Sequence, residues 1–114
     1  MHELGITQNI VAIVCEQAQG ASVRRVTLEI GKLSAIMPDA IRFCFDICCQ
    51  DTILEGATLE IIETEGRGKC RNCGQEINLS QPFGQCDRCH SCELDIIQGQ
   101  ELQIKEMEVE ELCV

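Results

Sequence analysis

The chain has 114 residues, of which 45% are hydrophobic, with three Phe, no Trp or Tyr, and a net charge of −10. That length supports one domain with a modest core built from Ile, Leu and Val rather than from aromatic rings. No apolar run approaches the roughly 20 residues that span a bilayer, and a surface this acidic, without a basic stripe, repels phosphate backbones. Membrane spanning and direct nucleic-acid binding are therefore excluded as expectations.

The start, Met1-His2-Glu3-Leu4, lacks the basic-then-apolar pattern of a secretory signal, so the expected location is the cytoplasm. From Glu3 to Ala18 the chain reads as a helix, with Ile6, Ile10, Ile13 and Val14 at helical spacing and Gln19-Gly20 as the stop. Val26, Leu28 and Ile30 alternate with Thr27 and Glu29, which reads as a strand ending at Gly31. Pro38 suits the first turn of a second helix reaching about Gln50. Ile41, Cys44, Phe45 and Cys48 form its apolar stripe, with Cys49 off it. After a break at Gly56, Leu59 and Ile61 alternate with Thr58 and Glu60 as a second strand.

Composition changes at Gly66-Arg67-Gly68. From Lys69 to about Glu93 the chain is polar and rich in Cys, too poor in apolar residues for a core of its own, so a metal is expected to hold it together. Strand-like sequence resumes at Leu94-Asp95-Ile96-Ile97. After Gly99, Leu102 and Ile104 alternate, then Met107 and Val109, with a slip of parity at Lys105-Glu106 that predicts a bulge or twist. This last strand is expected to return to the first sheet. The predicted fold is α/β, a small mixed sheet with two helices and an inserted zinc-ribbon-like module. The domain occupies residues 1–66 and 98–114 and the module residues 67–97.

Ten Cys residues in a chain of this kind point to metal ligands or redox groups more than to disulfides. Cys70-Arg71-Asn72-Cys73 and Cys86-Asp87-Arg88-Cys89 are two CxxC turns separated by twelve residues. Each turn presents two thiolates on one side of a tight bend, and two such turns close a four-sulfur tetrahedron with no position left for water. The expected site is structural zinc. Gly74 follows the first turn, where a positive φ is often required. A redox dithiol is the competing reading, and paired turns on a core-poor insertion argue against it. Cys89-His90-Ser91-Cys92 also offers His90 or Cys92 as substitute ligands.

Free Cys behaves as a small apolar residue, so Cys44 and Cys48 are expected in the core, Cys15 packed or half-exposed, and Cys113 accessible in the tail. Nothing pairs a Cys with a His and an acid in a triad, and no phosphate loop occurs, so the expectation is a protein that is not an enzyme. His2 has chemistry of its own. The α-amine, the amide nitrogen of residue 2 and its imidazole can grip one metal in fused rings, and square-planar nitrogen coordination suits Ni(II) or Cu(II). Amides at a helix start lack intrahelical acceptors, so such binding would break no helical hydrogen bond.

Met1-His2-Glu3-Leu4, the first helix, the Gly31-Lys32-Leu33-Ser34 turn, and the paired CxxC turns followed by Gly99-Gln100-Glu101-Leu102 together resemble the hydrogenase nickel-incorporation family HypA/HybF. The resemblance covers essentially the whole chain. It implies a nickel metallochaperone that assists maturation of [NiFe] hydrogenase, with nickel held through His2 and the neighbouring backbone and Glu3 beside it. It implies structural zinc on Cys70, Cys73, Cys86 and Cys89, and as partners the maturation GTPase HypB and the hydrogenase large subunit. The second turn departs from the family pattern. Asp87 stands where a Pro is common, His90 where a Gly is common, and Cys92 is additional. His2 and His90 are the only two histidines, which makes His90 a candidate to complete the nickel site. The alternative reading is a zinc-ribbon interaction module with an acidic docking surface and no transferred metal.

Overall fold

A computed structural model describes residues 2–110, His2 through its backbone. Eight elements follow in order: α1 (His2–Ala18), β1 (Val23–Gly31), α2 (Pro38–Cys49), β2 (Thr58–Thr64), β3 (Gly66–Cys70), β4 (Glu76–Leu79), β5 (Leu94–Gln98) and β6 (Leu102–Val109). They form two three-stranded sheets, β2-β1-β6 and β4-β3-β5. The expected return of the last strand to the first sheet is thus observed. The chain divides into two compact units, one of residues up to 28, 37–62 and from 104, the other of residues 29–36 and 63–103.

In the first unit, α1 buries Ile10, Val11, Val14 and Ala18, together with Thr7. The Thr7 hydroxyl is satisfied by donating to the Glu3 carbonyl at 2.6 Å, the back-bonding that lets a buried hydroxyl sit within a helix. The helix stops where Gln19 and Gly20 take φ of 51° and 88°. Ile13, expected on the inner stripe, is 48% exposed, because the buried face follows Ile10, Val14 and Ala18 at i, i+4, i+8.

α2 begins with Pro38 in its first turn behind an extended Met37. Its buried face is Ile41, Cys44, Phe45 and Cys49. The two adjacent cysteines therefore exchange the places expected for them. Cys49 packs inside and Cys48 is half-buried, since the stripe follows i+8 from Ile41 rather than i+7. Beyond α2, Thr52 donates to the Cys49 carbonyl and accepts from the Leu54 amide, which turns the chain and sets Leu54 fully inside. Val14, Val26, Leu28, Ile41, Phe45 and Leu54 make the deepest part of this core. Burial of side chains of this size contributes about 1.5–3 kcal/mol each relative to exposure. In β6 the half-buried positions are Ile104, Met107 and Val109, a spacing of three then two, which is the parity slip read from the sequence.

The second unit holds β3 and β4, which the sequence reading left as irregular chain. Gly66 and Gly68 carry no apolar side chain to mark a strand, yet β3 is the central strand of its sheet and both glycines are buried. It pairs antiparallel with β4, Gly66 opposite Leu79 and Lys69 opposite Glu76, and antiparallel with β5, Cys70 opposite Leu94, with a register shift between Arg67 and Gly68. The glycines are required because other chain fills their Cβ space. At Gly66 that space is taken by the Leu33 side chain and the Leu79 carbonyl. Ion pairs flank the sheet, Arg67 with Glu76 at 3.2 Å and Arg71 with Asp95 at 2.7 Å.

Candidate metal centre

The first CxxC turn links β3 to β4, and the second lies in the segment between β4 and β5. Both are built alike. In the first, the Cys70 amide donates to the Gln75 carbonyl and the Gly74 amide to the Cys70 carbonyl, each at 2.9 Å. In the second, the Cys86 amide donates to the Ser91 carbonyl at 2.8 Å and the His90 amide to the Cys86 carbonyl at 2.9 Å. In each turn two backbone bonds anchored on the first cysteine, one through its amide and one through its carbonyl, close the bend.

The ligand atoms of Cys70, Cys73, Cys86 and Cys89 all lie within 4.8 Å of one another. Cys70 Sγ is 3.5 Å from Cys89 Sγ, and Cys73 Sγ is 3.6 Å from Cys86 Sγ. A disulfide needs about 2.05 Å. A tetrahedron of sulfurs at about 2.3 Å from a zinc ion has edges of about 3.8 Å. The four sulfurs therefore stand at the separations of a zinc tetrahedron and not of disulfides. Cys70 and Cys86 are buried, Cys89 is half-buried and Cys73 is exposed.

The surroundings act unequally on the sulfurs. The Arg88 amide donates to Cys86 Sγ at 3.4 Å, and the Asn72 side-chain amide reaches across to Cys89 Sγ at 3.4 Å. Asn72 first, and then the Ser91 amide, pull the Cys89 thiol down to about 6. The Gln75 amide acts in the same direction on Cys73, but loss of solvent and the crowd of neighbouring sulfurs outweigh it and push that thiol up to about 12. Four thiols crowded together without a cation cannot all ionise, and a divalent ion removes that conflict. The cluster fits zinc. Asn72 and the amides of Gln75, Arg88 and Ser91 escaped the sequence reading, because backbone donors leave no trace in residue type.

His90 and Cys92, the candidate substitutes, are both exposed and stand outside the four-sulfur group. His90 uses its backbone instead. Besides its amide bond to Cys86, its carbonyl accepts from the Gln85 side chain at 2.8 Å. At the other candidate site, His2 is the first residue of α1 and Glu3 the next, half-buried in the first turn. Cys113 lies outside the described residues.

A family model described as hydrogenase/urease nickel incorporation, metallochaperone, HypA matches residues 1–109. A hydrogenase maturation factor HypA of Crocosphaera subtropica is 90% identical over 114 residues, the whole of both chains. One from Geobacter metallireducens is 48% identical over 110 residues, 96% of this chain and 100% of that one. The solution structure of a HypA protein superposes with a TM-score of 0.71 at 25% identity, covering 96% of each chain. That of the Ni metallochaperone HypA from Helicobacter pylori gives 0.65 at 23% identity over 94% of this chain and 96% of that one, a likeness of fold. The chain belongs to the HypA family of hydrogenase/urease nickel-incorporation metallochaperones.

Proposed function

We infer that this protein binds Ni(II) at its amino terminus and assists nickel insertion during [NiFe] hydrogenase maturation, without catalysing a reaction of its own. The α-amine of Met1, the amide nitrogen of His2 and the His2 imidazole supply three nitrogens, with Glu3 beside them. The nickel is cargo. Cys70, Cys73, Cys86 and Cys89 hold a resident zinc whose role is structural. The nickel-binding domain comprises residues 1–66 and 98–114 and the zinc module residues 67–97. The partners in this reading are the maturation GTPase HypB and the hydrogenase large subunit, and the setting is the cytoplasm.

The observation that carries the reading is the start of α1 at His2 in a chain of this family. A helix's first amides have no intrahelical acceptor, so the amide of residue 2 is available to a metal without cost to the helix. Among the described residues, no helix is long and apolar enough to cross a membrane. Metal analysis tests the reading. Wild-type protein is expected to take up one nickel per chain besides zinc. His2→Ala, or one residue added before Met1, is expected to lose the nickel and keep the zinc. Retention of nickel by both variants would favour the interaction-module reading instead.

A further inference from the structure

The two helices of the first unit leave large apolar side chains in water. On α2, Phe43 is 71% exposed and Ile47 is 51% exposed. They stand one turn apart on one side of the helix, while Phe45 of the same helix is buried. Beside Ile47 runs a groove of about 360 Å³, lined by Leu4, Gln8 and Val11 of α1 and by Ile47 and Cys48 of α2. Leu4, Gln8 and Val11 are spaced i, i+4, i+7, so the groove follows α1 for about two turns, roughly 10 Å. That is the length over which a docked helix presents three successive apolar anchors.

Charge decides what fits. α1 and α2 carry Glu3, Glu16, Asp39 and Asp46 against a single cation, Arg42. Arg42 is already engaged, donating to the Leu59 carbonyl at 3.2 Å. Neither helix has a basic residue in its last turn. The carbonyl end of α2, next to Ile47 and Cys48, is capped by neutral donors, the Gln50 amide on the Ile47 carbonyl and Thr52 on the Cys49 carbonyl, and no cationic side chain of the helix offsets its partial negative charge. A second copy of this chain would bring the same acidic helices against each other, and an anionic lipid surface would repel them.

We propose that the groove between α1 and α2 docks an amphipathic helix of a partner protein, its apolar residues at i, i+3 or i+4, i+7 and its flanks rich in Lys or Arg. Phe43 and Ile47 extend the apolar wall, and the basic flanks meet Asp39, Asp46 and the C-terminal turn of α2.

The test titrates the zinc-loaded full chain with a labelled helical peptide of Leu and Lys and with its Leu/Glu counterpart at physiological salt. The Leu/Lys peptide is expected to bind saturably, with amide shifts gathered on α1 residues 4–11 and α2 residues 43–49. Phe43→Ser and Ile47→Ser are expected to weaken it about tenfold or more, the effect of losing a central apolar anchor, with the melting curve of the protein unchanged. Asp46→Lys is expected to weaken it further. Equal binding of the Leu/Glu peptide would overturn the charge argument. Unchanged affinity in the Phe43→Ser/Ile47→Ser double variant would overturn the site. A concentration-dependent dimer dispersed by that double variant, or binding of anionic vesicles in place of the peptide, would assign the groove to another occupant and contradict the proposal.

Discussion

His90 holds in the second CxxC turn the place that Gly74 holds in the first. Both have positive φ, 64° and 80°, and both donate their amides to the carbonyl of the first cysteine of their turn. A glycine adopts this backbone freely, whereas a side chain there costs roughly 1–2 kcal/mol. The second turn is thus the strained one, and the strain falls on a residue whose side chain is exposed. His90→Gly is expected to retain zinc stoichiometry and to stabilise the zinc-loaded protein by up to about 1 kcal/mol, the extra chain entropy of glycine offsetting part of the relief. Slower zinc extraction by a chelator would check this, and faster extraction would contradict it.

Removing a sulfur has a different reach. Cys86 is fully buried within the four-sulfur group. Cys86→Ser is expected to lose zinc and to disorder residues from about 69 to 93. The first unit, with its own apolar core, is expected to keep its helices. Amide spectra before and after zinc removal report both. A zinc-free protein with that segment still ordered would contradict the assignment of a structural ion.

Close backbone approach in the second unit predicts an intolerant glycine. Gly99 has φ of 114°, and a Cβ there would stand 2.7 Å from Gly66 Cα and 2.9 Å from the Leu33 side chain. Gly99→Ala combines backbone strain with overpacking, each costing about 1–3 kcal/mol. Denaturant unfolding is expected to show a loss of about 2 kcal/mol or more, while Gly5→Ala, where the added Cβ meets nothing, is expected to be neutral or mildly stabilising.

The helix cysteines separate by burial. Burial first, and then Cys48, Asp46 and Cys15 nearby, push the Cys49 thiol up to about 12. Cys48, half-buried on the groove, is raised by burial and by Cys44. Thiol reagents are expected to modify Cys48 before Cys44 or Cys49 in the folded protein. An unfolded thiol ionises near 8.5. Between that value and about 12 the folded chain therefore holds the Cys49 proton more firmly than the unfolded chain does, and stability falls as pH rises through this window. Urea midpoints above pH 8.5 are expected to fall less steeply in Cys49→Ala than in wild type.

Much of this architecture can be read from residue pattern, and the failures have identifiable causes. The 3.6-residue period of Ile10, Val14 and Ala18 and the alternation of Val26, Leu28 and Ile30 mark elements whose burial the structure repeats. The spacing of Cys70, Cys73, Cys86 and Cys89 marks the metal centre because each turn must supply two sulfurs. β3 is invisible to the same reasoning. Its strand character comes from pairing with β4 and β5 and from Leu33 and Leu79 filling the space above Gly66 and Gly68, contacts made by residues distant in sequence. The exchange between Cys48 and Cys49 has the same origin. Both lie near the edge of the α2 stripe, and the packing that selects one of them is tertiary.

The central claim is nickel at the amino terminus, and His2→Ala tests it most directly. Titration of zinc-loaded wild-type protein with Ni(II) is expected to fill one site in a mainly nitrogen environment, weakening as pH falls below about 6.5 because imidazole, amine and amide must all lose protons. His2→Ala is expected to abolish that site and leave the zinc untouched, since the two sites share no ligand. His90→Ala, measured alongside, reports whether the second histidine contributes. Undiminished nickel binding in His2→Ala would contradict the claim and leave a zinc-ribbon interaction module as the better reading.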